Sequence, residues 1–146
     1  MRTYKPFKDS YINEQYLDKQ LSIKQWSELA RFRCGVFPLS IELGRYRRPQ
    51  VPLDRRICLA CNHGYIEDET HFLVSCPVYD ELRNKHFGVN ILQNSDTDTL
   101  KTLMSNIDSK SIANYLIESY DKRNQILKHR RWYLLKTVDH LLITTC

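Results

Sequence analysis

Residues 55–79 read RRICLACNHGYIEDETHFLVSCPVY, and this stretch decides how the chain is to be understood. It sets Cys58-x2-Cys61-x9-His71-x4-Cys76, four soft or borderline donors within nineteen residues. Zinc takes that number. A d10 ion without directional preference accepts a tetrahedron of thiolate sulfur and imidazole nitrogen, and a structural site fills all four positions with protein. A two-residue gap between Cys58 and Cys61 lets one tight turn aim both sulfurs at a point. The nine residues that follow include the turn formers Asn62 and Gly64, which allow the chain to return with His71. Cys76 precedes Pro77 at the entry of a helix, where free amide hydrogens favour a thiolate. The competing reading is three buried free cysteines, and His63 competes with His71 as the fourth ligand.

Four protein ligands leave no open metal position for water, so the neighbouring Glu67, Asp68 and Glu69 are not expected to do acid–base chemistry on the ion. Capping, pairing with Arg55 or Arg56, or orienting His71 is the expected work of these carboxylates, with Arg56, Glu67 and Asp68 surrounding the ligands. Phe72 and Leu73 are expected to form an apolar layer beneath the metal. No nucleophile constellation, glycine-rich phosphate loop or carboxylate pair is found elsewhere, and the chain reads as non-catalytic.

Outward from this centre the pattern is helical, so the fold class expected is mainly α: a small helical domain with a zinc-stapled loop or short hairpin in the middle. Residues 22–33 place Ile23, Trp26, Leu29, Ala30 and Arg33 at three- and four-residue steps behind a Ser22 cap. A short helix is expected over 39–43, started by Pro38 and stopped by Gly44. Residues 45–56, RYRRPQVPLDRR, carry two prolines and five arginines and predict an extended basic connection. Pro77 should open a helix with Val78, Leu82 and Phe87 turned inward and an end near Gly88. Residues 94–98 read as a turn, followed by helices over 99–104 and 109–128; 132–143 fits helix or strand. The segments are 1–56, 57–92 and 93–146, expected to form one compact unit.

The 146 residues suit a single domain, and the net charge of +5 is unevenly spread: +6 over 1–56, −5 over 57–108 and +4 over 109–146. Basic flanks around an acidic centre suit a polyanion gripped from the sides. Arg31, Arg33, Arg45, Arg47, Arg48, Arg55 and Arg56, with Phe32 and Tyr46 among them, combine phosphate contacts with rings on which bases can stack. The alternative is that these arginines neutralise Glu67, Asp68, Glu69, Asp80 and Glu81. No apolar run is long enough for a membrane span, and Met1 to Phe7 lack a secretory signal, which points to a reducing nuclear or cytoplasmic setting. Five cysteines cannot all pair within one chain; Cys34 and Cys146 read as incidental.

The segments RRICLAC and EDETHFLVSCPVY, with IELGRYRRP upstream, resemble the zinc-binding region that follows the polymerase in reverse transcriptases of non-LTR retrotransposons. The shared pattern falls on Arg56, Cys58, Cys61, Glu67, Asp68, His71, Phe72, Leu73, Cys76, Pro77, Tyr79, Leu82 and Arg83, and the likeness extends over about residues 25–130. It implies a fragment or relic of a mobile-element protein. The full version also carries an endonuclease and a polymerase, and this chain has no adjacent Asp-Asp pair to serve a polymerase. What the resemblance carries over is the metal site and a role for the adjoining basic segment in holding RNA or DNA during target-primed reverse transcription. A second reading from another class is a structural module whose helices dock on a polymerase domain.

Overall fold

The computed structural model describes residues 20–88 and 97–143. The expectations for Met1 to Phe7, for the first part of the 94–98 turn and for Cys146 lie outside them. The chain is mainly helical, with no strands among the described residues. Helix α1 is Ile23–Arg33 and helix α2 is Ser40–Tyr46. A 3-10 turn follows at Leu53–Arg55, then a π turn at His71–Ser75 and a second 3-10 turn at Pro77–Tyr79. The last turn runs into α3, Asp80–Phe87, after which come α4, Thr97–Asn106, and α5, Ser109–Ile143.

Local chemistry explains most of these boundaries. Ser22 caps α1 reciprocally: its hydroxyl accepts from Gln25 N at 3.3 Å while Gln25 Oε1 accepts from Ser22 N at 2.8 Å. Gly88 ends α3 with φ of +80°, a conformation that favours glycine. Asp108 accepts from Lys110 N and Ser111 N and so starts α5. At 35 residues, α5 is about 52 Å long and serves as the backbone of the fold. Its helical path continues through the 132–143 stretch that sequence left open between helix and strand.

Both α1 and α3 pack against α5, and α4 packs against the π turn. Phe32, Phe37, Phe72, Tyr79, Tyr115 and Leu116 are wholly buried where these elements meet, each contributing on the order of 1.5–3 kcal/mol of apolar burial. The rings interlock: Phe37 meets Phe32 and Phe72 at 5.6 Å, and Phe72 meets Tyr79 at 4.9 Å. Polar ties fix the register of α5. Tyr115 Oη donates to Phe72 O at 2.8 Å, and Gln25 Nε2 donates to Asn114 Oδ1 at 2.7 Å.

Three expectations need correction. Ile23 is 90% exposed, because α1 turns Leu29, Phe32 and Arg33 to the core and so rotates its first turn outward. Gly44 does not stop a helix; it lies inside α2, buried, where a Cβ would sit 2.8 Å from Cγ and Cδ of Arg56. The glycine is there to let the Arg56 side chain cross the helix. Along the Pro77–Tyr79 turn and α3, Val78 and Leu82 are only half-buried, and the inward positions belong to Tyr79, Arg83 and Phe87. The Arg83 guanidinium donates to Cys76 O and to Asp80 Oδ1, which makes an arginine acceptable there.

Candidate metal centre

The Cys58–Cys61 turn is carried by a minimal antiparallel pairing. Ile57 bridges Ile66, Cys58 N donates to Tyr65 O at 2.7 Å, and Glu67 N donates to Arg56 O at 2.9 Å. Between these rungs the chain reverses through Asn62 at φ +59° and Gly64 at φ +80°. This is the short hairpin that sequence allowed as an alternative to a loop.

His71 and Cys76 come from the other side. In a regular α-helix, residues five apart point about 140° away from each other, so H-x4-C would splay its donors. Here the Cys76 N–H bonds to His71 O at 2.8 Å, closing a five-residue π turn that brings both side chains round to one side. Asp68 Oδ1 caps the start of this turn, accepting from His71 N at 2.7 Å.

The result is a single cluster. The donor atoms of Cys58, Cys61, His71 and Cys76 all lie within 4.8 Å of one another. Cys58 Sγ and Cys76 Sγ are 4.0 Å apart, and Cys61 Sγ lies 3.5 Å from His71 Nε2. A tetrahedral zinc ion would hold paired sulfurs about 3.8 Å apart and a sulfur–nitrogen pair about 3.5 Å apart. The donor set and its spacing therefore fit such an ion, and the four residues can bind a metal. His63 is exposed and stands outside the group.

Backbone amides line the sulfurs. Those of Ala60 and Cys61 favour the Cys58 thiolate, that of His63 the Cys61 thiolate and that of Val78 the Cys76 thiolate. The hydrogen bond from the Cys76 thiol, acting with these amides, brings Cys58 down to about 3. Cys76 itself is pushed up, first by that shared hydrogen bond and then by burial, despite its place at a helix entry. Burial likewise raises Cys61.

The surroundings differ from the sequence reading in their partners. Glu67 is completely buried and pairs not with Arg55 or Arg56 but with Arg123 of α5, through Nε–Oε1 and Nη2–Oε2 contacts of 2.6 Å each. Its Oε2 also accepts from Ser40 N at 2.7 Å and Ser40 Oγ at 2.5 Å, starting α2, while Oε1 lies 3.8 Å from Cys58 Sγ. Burial works against the Arg123 charge, and the Glu67 carboxylate more than offsets it, holding the guanidinium above its ordinary value. Arg56 does not reach the ligand side chains; it donates to Val51 O and Ile41 O. The His71 Nδ1 faces the Ser75 hydroxyl at 3.4 Å rather than Glu67, Asp68 or Glu69. Phe72 and Leu73 are fully buried, with Phe72 packed among Phe32, Phe37, Tyr79 and Tyr115.

The basic residues divide. Phe32, Arg33 and Arg56 are buried, which removes a ring and two cations from any surface that nucleic acid could touch. Arg31 is exposed and 3.4 Å from Glu28. Arg45, Tyr46, Arg47 and Arg48 are exposed in succession at the end of α2 and just beyond, and Arg55 is exposed in the 3-10 turn that follows, with Arg45 3.0 Å from Glu42. Three carboxylates of the acidic centre pair with other cations: Glu67 with Arg123, Asp80 with Arg83, and Glu81 with Lys122. Sequence reasoning missed Arg130, whose guanidinium donates to Leu59 O at 2.6 Å and Ala60 O at 3.3 Å on the cysteine turn. The basic run at 128–130 was the available signal.

Comparison with protein-family models, with curated proteins and with solved structures returns no match to this chain. Among the described residues, no helix is long and apolar enough to cross a membrane.

Proposed function

We propose that this chain is a non-catalytic, zinc-stapled helical module that contacts RNA or DNA through the basic stretch beside the metal centre. The observation that carries the metal part is the spacing of the four donors, with 4.0 Å between two sulfurs and 3.5 Å between sulfur and imidazole nitrogen. Zinc held by Cys58, Cys61, His71 and Cys76 would fill its coordination with protein and act as a staple rather than a reactive centre. The nucleic-acid part is supported by exposed Arg45, Arg47, Arg48 and Arg55 with the exposed Tyr46 ring, cations that polyanions attract. The likeness of the cysteine–histidine stretch to the zinc-binding region of non-LTR reverse transcriptases supports the same reading and a retroelement origin.

The test is a salt titration of zinc-loaded protein against labelled RNA and DNA. The expected result is binding at low salt that weakens linearly in log–log form as salt rises. Absence of binding at low salt, or indifference to salt, would overturn the nucleic-acid role. A second reading, a module that docks on a protein, is favoured by exposed Ile23, Val36, Leu43 and Leu53.

A further inference from the structure

Tyr65 sits against a metal-cluster residue and is nevertheless open to solvent. Its ring lies 5.7 Å from the His71 imidazole at a 33° tilt, and the residue is 63% exposed. Its mount is rigid, because Tyr65 O accepts from Cys58 N at 2.7 Å and the adjoining Ile66 bridges Ile57. A tyrosine needed only to shield the histidine would itself be covered. The same hairpin carries two more exposed side chains: Leu59, 46% exposed on the cysteine turn, and His63 at the tip of the reversal.

A cation is fixed on the same hairpin. Arg130, exposed, is tied to Leu59 O and Ala60 O, which places its guanidinium on the turn that follows Cys58. Two of its nitrogens bond these carbonyls, and the fork retains further donors for a phosphate. Arg55 is exposed at the end of the 3-10 turn, two residues before Ile57. An open aromatic ring on a hairpin that also carries an exposed aliphatic side chain and an arginine fork has the composition of a base-stacking platform with a phosphate clamp.

We infer that the cysteine hairpin binds an unpaired base of a single-stranded nucleic acid, stacked on Tyr65 and packed against Leu59, with adjoining phosphates on Arg130 and Arg55. The inference rests on the nucleic-acid reading above and narrows it to single strands. Bases within a duplex are stacked on each other, and their faces are closed to a side-chain ring.

The experiment uses the full zinc-loaded chain and measures fluorescence anisotropy with short labelled oligo-U, oligo-dT and a duplex of equal length. Single strands should bind more tightly than the duplex. Tyr65→Leu should weaken single-strand binding about 5- to 150-fold with the salt slope unchanged, and Tyr65→Phe should retain it. Arg130→Gln should lower the salt slope by about 0.7, the share of one phosphate contact. Unchanged affinity of Tyr65→Leu, with wild-type binding still salt-dependent, would overturn the stacking site and leave the broader nucleic-acid reading standing. Failure of the wild-type chain to bind any strand would overturn both. Photocrosslinking of wild-type protein to iodouracil-containing strands is independent of the variants' folding. An adduct on the peptide carrying Tyr65 is expected, and adducts confined to other peptides would overturn the inference.

Discussion

Arg123→Met removes the cation that neutralises a carboxylate with no solvent exposure at all. Glu67 would keep its bonds from Ser40 N and Ser40 Oγ, but its two 2.6 Å contacts to the guanidinium would vanish. Breaking one side of a buried ion pair costs about 3–5 kcal/mol, since the remaining charge is left uncompensated. For a domain of this size that is a fall in melting temperature of about 10–20 °C. The double variant Arg123→Met with Glu67→Gln should recover much of the loss, because a neutral amide needs no counter-charge. Lys85→Met provides the contrast: it removes an exposed pair with Glu118 and should cost less than about 1 kcal/mol. Urea denaturation followed by circular dichroism measures all three. A loss below about 1 kcal/mol in Arg123→Met, or a double variant no better than the single, would refute the argument that this pair ties α5 to the metal hairpin.

Other outcomes follow from the same structure. Gly44→Ala should destabilise by about 1–3 kcal/mol in the same denaturation assay, because the new Cβ would press on Arg56 at 2.8 Å and dislodge its bonds to Val51 O and Ile41 O. Zinc affinity should rise with pH. Cys61 and Cys76 are raised and hold their protons at neutral pH, whereas Cys58 near 3 has already lost its own, so binding releases about two protons and tightens about 100-fold per pH unit. Competition with a chromophoric chelator reads this slope, and a flat profile would contradict it. Cys61→Ser should lower the melting temperature sharply and open residues 57–79 to protease, since zinc contributes on the order of 10–16 kcal/mol in small modules. A melting curve identical to wild type would count against a structural metal.

The four donors were legible because their spacing is local, and so were the Ser22 cap and the Gly88 stop, which depend on neighbours within one turn. The π turn was not. Whether His71 O pairs with the amide four or five residues on is a choice made by packing, and no residue type announces it. The buried partnership of Glu67 with Arg123 spans 56 positions, so the sequence offered only the nearer Arg55 and Arg56 as candidates. Gly44 shows the same failure in reverse. Its local meaning, a helix stop, gave way to a tertiary one, clearance for the crossing Arg56 chain. Arg33 counted both as a member of the apolar stripe of α1 and as a phosphate contact, and burial admits only the first.

Zinc K-edge absorption of the purified chain reads the coordination shell itself. The expected spectrum fits three sulfurs at about 2.3 Å and one imidazole nitrogen at about 2.0–2.1 Å, with no oxygen scatterer. A protein that carries no zinc, or a shell containing fewer sulfurs and a bound water, would contradict it.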